Sequence, residues 1–206
     1  MPDFRSLLKV FPDDFIFVDI PIGLPPGGRT LESAARKLLD GRRSTIFPVP
    51  CREAVYADEY RQACEINQRQ TGRKLSVQTW NICEKIREVD QVLLASPRER
   101  SRIFESHPEL AFQRLKGAAL IHSKKTAEGL VERMAILRPI LPGAAAWYEM
   151  AIAAYPRKAV GRDDIVDAMV LTAVGSLKET STISGDETAD ELGIPIRMIV
   201  PGAHRS

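Results

Sequence analysis

The chain has few cysteines, little net charge and no long apolar run. Its three cysteines show no CxxC spacing, which argues against a disulfide scaffold or a zinc ribbon and favours a reducing compartment. A net charge of +2 over 206 residues gives no basic field across the whole chain, so a nucleic-acid partner needs a local patch. The apolar stretches are shorter than the about 20 residues that span a bilayer. We therefore expect a soluble, cytoplasmic protein without a membrane partner.

Several short catalytic motifs are also absent. The sequence contains no GxSxG, P-loop, GxGxxG or HExxH pattern. Serine hydrolase, NTPase, dinucleotide-binding and zinc-protease functions therefore have no local support. An apolar fraction of 44% is sufficient for a core, and the length favours a single domain over residues 1–206.

Strands separated by helices predict an α/β fold. The segments "FIFVDI" (15–20) and "SRIFES" (101–106) are typical of strands, and so is "IPIRMIVP" (194–201). Pro195 suggests that this last strand lies at a sheet edge, and a polar connector (180–193) precedes it. Most of 27–100 is predicted to be a helical insertion between the first two strands. The predicted helices cover 3–11, 30–39, 53–70, 77–95, 108–116, 126–138, 143–154 and 163–177.

Carboxylates lie near the exits of the first two strands. Asp19 interrupts an apolar strand, and Glu105 lies where the second strand gives way to a helix. Ser106 and Glu109 fit a capping box, with Ser106 as the N-cap, so Glu109 has a structural explanation that Glu105 lacks. His107 shares a strand face with Glu105. It is either a general base, a group that orients Glu105, or simply a polar residue ahead of the helix.

A third carboxylate group lies in "GRDDIVDAM". Asp163 is predicted to be an N-cap, and Asp164 suits the first turn of a helix, where a negative charge complements the helix dipole. Asp167 follows one turn later on the same face as Asp164 and directly precedes an apolar run. A carboxylate that faces a core is unfavourable unless it is paired or bound to a metal, so a cation is expected here.

Ligand sites in open α/β sheets gather outside the carboxyl ends of parallel strands. Carboxylates that converge there form a hard-oxygen site suited to Mg²⁺ or Mn²⁺. Such ions activate water and stabilise the leaving oxygen in phosphodiester hydrolysis. We therefore predict catalytic roles for Asp19, Glu105 and Asp167, with Asp164 as a further metal ligand.

Basic side chains are candidate phosphate contacts. Those of the 42–52 loop are equally well explained as ordinary surface charge. Lys85 either reaches a substrate phosphate or pairs with a glutamate of its own helix. Lys124 precedes a helix whose N-terminus is able to bind an anion, and a plain surface lysine is the simpler alternative. The candidate substrate-binding residues are Arg42, Arg43, Arg52, Lys85, Lys124 and His107.

Six segments, in this order, resemble a known family: "VDIPIGLP", "RRSTIFPVPCR", "WNICEKIREVD", "ESHPELAF", "KKTAEGLVER" and "RDDIVDAMV". They are similar to the predicted RNase H-like nucleases grouped as domain of unknown function 429, over nearly all of 15–177. "DIVDAMV" also resembles the D-x-x-D-A helix of Holliday-junction resolvases. The resemblance implies an RNase H-like mixed sheet flanked by helices, divalent-metal dependence and hydrolysis of nucleic acid. The family's catalytic positions fall on Asp19, Glu105 and Asp167, with Asp164 as a partner.

The sequence departs from the superfamily pattern at its start. Members of the superfamily begin with a three-stranded meander whose first strand carries an essential Asp, and this sequence starts at what resembles the following helix. Either the start lies too late or the chain is a short form. In a short form the 15–20 strand has an open edge, which favours a homodimer or a poorly stable monomer. The alternatives are an inactive RNase H-like module that binds nucleic acid or protein, and a phosphotransferase, against which the missing Gly-rich loop weighs.

Overall fold

The computed structural model describes residues 3–202 and shows a mixed α/β fold. Its sheet has four strands in the order β1-β2-β4-β3. The first, second and fourth strands run parallel, and the third is antiparallel to the fourth. The predicted α/β class is therefore confirmed. The strands are β1 (Ile16–Val18), β2 (Ile103–Glu105), β3 (Thr180–Ile183) and β4 (Met198–Pro201).

Helices connect and flank these strands. A short 3-10 turn occupies Arg43–Thr45. The described helices are α1 (Phe4–Val10), α2 (Leu31–Leu38), α3 (Arg52–Val55), α4 (Tyr60–Thr71), α5 (Val77–Ala95), α6 (Pro97–Arg100), α7 (Pro108–Lys116), α8 (Ala127–Leu137), α9 (Ala144–Ala154) and α10 (Arg162–Ser176). None of the helices within residues 3–202 has the length and apolar character needed to cross a membrane.

The insertion predicted over 27–100 is present, because α2 to α6 all lie between β1 and β2. The predicted 53–70 helix is wrong in one respect, since it is split into α3 and α4. The guanidinium of Arg87, on α5, donates to the carbonyls of Val55 and Ala57 at 2.8 and 3.2 Å. These carbonyls are therefore bonded to a side chain, and the helix stops there. The insertion returns the chain to β2, which pairs directly with β1.

Two predictions about the last third of the chain are wrong. The polar connector contains β3, whose only buried residue is Ile183, so apolar alternation does not mark it. Pro195 does not indicate a sheet edge, because it precedes β4 and lies outside its ladder. β4 itself is an interior strand between β2 and β3.

The helix predicted to be buried is α10, which packs against the sheet. Val170, Ala173 and Val174 are completely inaccessible. Gly175 allows close packing, since a Cβ there would lie 3.0 Å from the ring of Phe17. This packing fixes the first turn of α10 beside the end of β1, and so positions its carboxylates.

β1 lies at the edge of the sheet, which agrees with the open edge expected for the 15–20 strand. Phe15, just before it, is 67% exposed. An exposed apolar edge is a site where another chain can pair. The homodimer stays a prediction.

Candidate active site

A pocket of about 370 Å³ opens at the carboxyl ends of β1 and β2. Asp19 follows β1 directly, and Glu105 is the last residue of β2. Asp164 and Asp167 enter from the first turns of α10. All four of these carboxylates, which the sequence predicts as metal ligands, line this one pocket.

Asp19 is exposed to the pocket. The pocket walls reduce the hydration of its carboxyl group, and the charges of Asp164 and Glu109 repel it. These effects outweigh the attraction of Lys124 and raise the pKa of Asp19 to about 6. A carboxylate with this pKa is poorly stabilised by the protein around it and suits a cationic ligand.

Asp167 is buried, with 8% of its surface exposed. Its Oδ2 accepts a hydrogen bond from Nζ of Lys124 at 2.6 Å, whereas its Oδ1 is buried without a partner among the described residues. Burial, followed by repulsion from Asp19 and Glu109, raises the pKa of Asp167 to about 6 in spite of Lys124. An unpaired buried acceptor is unfavourable, so a donor or a cation at this oxygen would be stabilising.

Lys124 is the cation closest to these carboxylates. Its Nζ lies 2.6 Å from Asp167 and 3.8 Å from Asp163. Partial burial disfavours the ammonium form, but the hydrogen bond and the charges of the aspartates raise the pKa of Lys124 overall. Lys124 therefore stays charged and neutralises only part of the acidic cluster.

Glu105 differs from the aspartates because both of its oxygens are occupied. Arg29 donates to them at 2.6 and 2.9 Å, and the amide of Ile22 donates at 2.8 Å. Arg29 also pairs with Glu32, and its side chain is only 1% exposed. Through these hydrogen bonds, Glu105 fixes the position of the loop that follows β1. Arg29 is not free to contact a phosphate.

The capping box predicted for Ser106 and Glu109 is wrong. The amide of Ser106 bonds to the carbonyl of Val18 at 2.9 Å, so the β1–β2 ladder continues through this residue. The N-cap is consequently His107, one residue later than predicted, whereas the helix begins at Pro108 as the predicted 108–116 span has it. Nδ1 of His107 accepts from the amide of Leu110 at 3.4 Å. Burial lowers the pKa of His107, so it is a neutral cap, and no hydrogen bond joins it to Glu105.

Two further acids have different partners from those predicted. Asp163 is not the N-cap of α10, since Gly161 takes that position and its amide donates to Asp164 at 3.3 Å. Asp163 instead faces Lys124 at 3.8 Å. Glu109 is buried in the pocket wall and pairs with Arg133 at 2.5 Å.

The predicted arginines lie at different distances from the pocket. Arg52 does not line it and instead binds Asp90 and Asp190 at 3.1 and 2.6 Å. Arg42 flanks the pocket, because its Nε lies 3.5 Å from Glu109. Arg43 is exposed in the 3-10 turn.

Among the other predicted substrate contacts, Lys124 and His107 line the pocket itself. Lys85 is exposed on α5 and lines an open groove beside β1, which Asp19 and Asp164 also line. The structure thus groups these side chains around the aspartates, and it leaves Arg52 apart.

Sequence reasoning missed the pair formed by Arg29 and Glu105. The short spacing of Arg29 and Glu32 at a helix start is a local signal for an ion pair. The pairing with Glu105 spans 76 residues and has no local signal.

The donor set of the pocket fits a hard cation only in part. Within residues 3–202, no three His, Cys, Asp or Glu side chains are already arranged around one point as metal ligands. Asp19, Asp164 and Asp167 nevertheless offer oxygen atoms in one pocket. The unpaired Oδ1 of Asp167 is an observation that favours such a ligand.

Comparison with known proteins gives one family. A family model described as "Protein of unknown function (DUF429)" matches residues 2–188. No curated protein and no solved structure matches the chain. The match covers most of the sequence and confirms the resemblance at the level of the family. The chain therefore belongs to the DUF429 family.

Proposed function

We propose that this protein is a divalent-metal-dependent nuclease of the RNase H-like type, which hydrolyses phosphodiester bonds in nucleic acid. The proposal rests mainly on the convergence of Asp19, Asp164 and Asp167 in one pocket at the carboxyl ends of parallel strands. Two of these groups have pKa values raised to about 6. Strongly perturbed carboxylates in a cleft are typical of functional sites.

Mg²⁺ or Mn²⁺ is the proposed cofactor, held by Asp19, Asp164 and Asp167. The donors are all carboxylate oxygens, which these ions prefer. When bound, such an ion supplies a polarised water and stabilises the charge on the leaving oxygen. The buried Oδ1 of Asp167, which has no partner, supports this fit.

The surrounding side chains have supporting roles in this proposal. Lys124, which is charged and next to Asp167, neutralises a substrate phosphate at the mouth of the site. Glu105 and Arg29 are buried against each other and keep the loop after Asp19 in position. His107 caps α7 through Nδ1 and fixes one wall. Glu105, for which the sequence predicts a catalytic role, is thus a positioning residue in this proposal.

Nucleic acid is the proposed substrate because cationic side chains surround the acidic pocket. Arg42 flanks it through Glu109, and Lys85 lies in the adjoining groove. Such groups contact phosphates without reading sequence. A cytoplasmic location is part of the proposal, since Cys51, Cys64 and Cys83 are free and buried, as a reducing compartment allows.

A module that binds without catalysis is the second candidate. It is favoured by one observation, namely that Arg29 occupies both oxygens of Glu105, so fewer carboxylates are left for a cation. Such a module binds nucleic acid or protein and shows no metal-dependent cleavage at any enzyme concentration.

The deciding experiment measures cleavage of end-labelled single- and double-stranded RNA and DNA in Mg²⁺, in Mn²⁺ and in chelator. We expect metal-dependent cleavage by the wild type and a loss of about 100-fold or more in Asp19→Asn and Asp167→Asn, because each removes a ligand charge. Asp58→Asn is the matched control, since Asp58 is exposed and outside the pocket. Equal rates in the pocket variants and the control disprove the catalytic assignment. Absence of cleavage by the wild type in every condition favours the binding module.

A further inference from the structure

A second pocket, of about 430 Å³, adjoins the carboxylate pocket and has the opposite charge. It lies between the start of α8, the chain that links α9 to α10, and the first turn of α10. Of the described residues that line it, Asp163 is the only acid. The cationic lining residues are Lys124, Lys125, Arg133, Arg157 and Arg162.

Three of these cations have no carboxylate partner. Within residues 3–202, no ion pair involves Lys125, Arg157 or Arg162, whereas Lys124 pairs with aspartates and Arg133 with Glu109. The protein therefore neutralises only part of the positive charge of the pocket. Like charges gathered around one cavity repel each other, and a bound anion relieves that repulsion.

Two guanidinium groups on the pocket lining also have unsatisfied donors. The side chain of Arg133 is 1% exposed, and its Nε lacks an acceptor, although its terminal nitrogens bond to Glu109 and to main-chain carbonyls. Nη1 of Arg162 is buried and also lacks an acceptor within the part of the chain that the structure describes. Buried polar groups in native proteins are nearly always hydrogen-bonded. Unpaired donors from two arginines on one cavity therefore point to a ligand that supplies acceptor oxygens.

The start of α8 contributes less than the side chains do. Thr126 caps this helix by accepting from the amide of Gly129 at 3.1 Å. Glu128 lies in the same turn, and a hydrogen bond from its own amide lowers the pKa of its carboxyl group. The helix end is thus already partly satisfied. Recognition of an anion depends mainly on Lys125, Arg157 and Arg162.

We propose that this pocket binds a phosphate group of the nucleic-acid strand, next to the phosphodiester that the carboxylate pocket receives. Guanidinium groups bind phosphate oxygens through paired, charge-assisted hydrogen bonds. Lys124 lines both pockets, so neighbouring phosphates of one strand are able to occupy them together. The statement that the scissile phosphodiester lies in the carboxylate pocket rests on the proposed function. The statement that the second pocket binds a phosphate group does not.

The test measures binding without catalysis. The full chain is titrated, in chelator, into a fluorescently labelled single-stranded oligonucleotide at several salt concentrations, with inorganic phosphate as a competitor. The variants are Arg157→Gln and Arg162→Gln. Arg138→Gln is the matched control, because Arg138 is exposed at the opposite end of α8. Thermal unfolding of each variant shows that it is folded.

We expect each pocket variant to weaken oligonucleotide binding about tenfold and to reduce the slope of log K against log salt by about 0.7, the value for one phosphate contact on a single strand. Inorganic phosphate is expected to compete with the strand in the wild type, and Arg138→Gln to bind within twofold of it. Pocket variants that bind like Arg138→Gln overturn the proposal. A second result also overturns it: the pocket variants lose the binding of inorganic phosphate but keep the wild-type affinity for the strand. The pocket then binds free phosphate and not the strand.

This readout separates the two proposals. An inactive protein that binds the strand through Arg157 and Arg162 supports the phosphate pocket and removes the hydrolase. A protein with metal-dependent cleavage whose pocket variants bind normally supports the hydrolase and removes the phosphate pocket.

Discussion

Two groups of charged side chains in this molecule contrast with each other. In the closed cluster, Arg52 binds Asp90 and Asp190, and Asp190 also accepts from the amides of Leu24 and Ile194. Burial alone raises the pKa of a carboxyl group, but these hydrogen bonds and the arginine charge lower the pKa of Asp190. This cluster is satisfied by the protein's own donors.

The open cluster contains the same type of residue and lacks such donors. Asp19 and Asp167 share Lys124, one oxygen of Asp167 has no partner, and both pKa values are raised to about 6. The difference lies mainly in the supply of donors, since Asp167 is buried as Asp90 and Asp190 are, although Asp19 is exposed. A satisfied cluster stabilises the fold, whereas an unsatisfied one reduces stability and is available to a ligand.

Breaking the closed cluster is expected to give the largest effect on stability. Arg52→Ala leaves Asp90 and Asp190 buried without their cation, and we expect a loss of about 3–5 kcal/mol in the free energy of unfolding. Urea denaturation measures it. Arg98→Ala is the control, because it removes an exposed ion pair with Asp13, for which less than about 1 kcal/mol is expected. Similar losses in the two variants contradict the description of Arg52 as structural.

The open cluster is expected to respond to pH in the opposite sense from an ordinary ion pair. The pKa of Asp167 is about 6 in the folded chain against 3.8 for a free side chain, so the folded state binds a proton that the unfolded state has released. The free energy of unfolding should therefore fall as pH rises through the interval between these two pKa values, by about 3 kcal/mol in total at 1.36 kcal/mol per pKa unit.

The check compares wild type with Asp167→Asn by denaturation at pH 4 and pH 7 in chelator. The variant cannot lose that proton, so its stability relative to the wild type should be higher at pH 7 than at pH 4. If the stability of the variant relative to the wild type is the same at pH 4 and pH 7, Asp167 has an ordinary pKa. That result contradicts the description of Asp167 as a poorly stabilised carboxylate.

Removal of one charge from the open cluster is expected to give the smallest effect. Asp19→Asn relieves repulsion with Asp164 and Asp167, but solvent screens an exposed side chain. We therefore expect the Tm to rise by about 1–3 °C at pH 7 without divalent ions. Differential scanning calorimetry measures it, with Asp58→Asn as a control that should leave the Tm unchanged. A lower Tm for Asp19→Asn than for the control argues against repulsion at this position.

The convergence of the carboxylates was predictable because each belongs to an element with a strong local signal. Asp19 follows one apolar strand, Glu105 ends another, and Asp167 lies in α10 just before its apolar run. The ends of neighbouring parallel strands then bring them to one edge. The helix predicted over 77–95 is confirmed for the same reason, and Oγ of its N-cap, Ser76, accepts from the amide of Thr79 at 3.0 Å.

The partners of these groups were not predictable, because they depend on distant contacts. Arg133 reaches Glu109 across 24 residues, and the N-cap of α7 lies at His107 instead of Ser106 because the ladder continues through Ser106. β3 is specified by its hydrogen bonds to β4 rather than by an apolar pattern. Which carboxylates are satisfied and which are open is therefore known only from the three-dimensional structure.

Anomalous scattering from a crystal soaked in Mn²⁺ tests the central claim most directly. We expect a peak in the pocket that contacts the carboxylates of Asp19 and Asp167. A crystal in which no peak lies at these carboxylates contradicts the claim that the open cluster holds a metal ion.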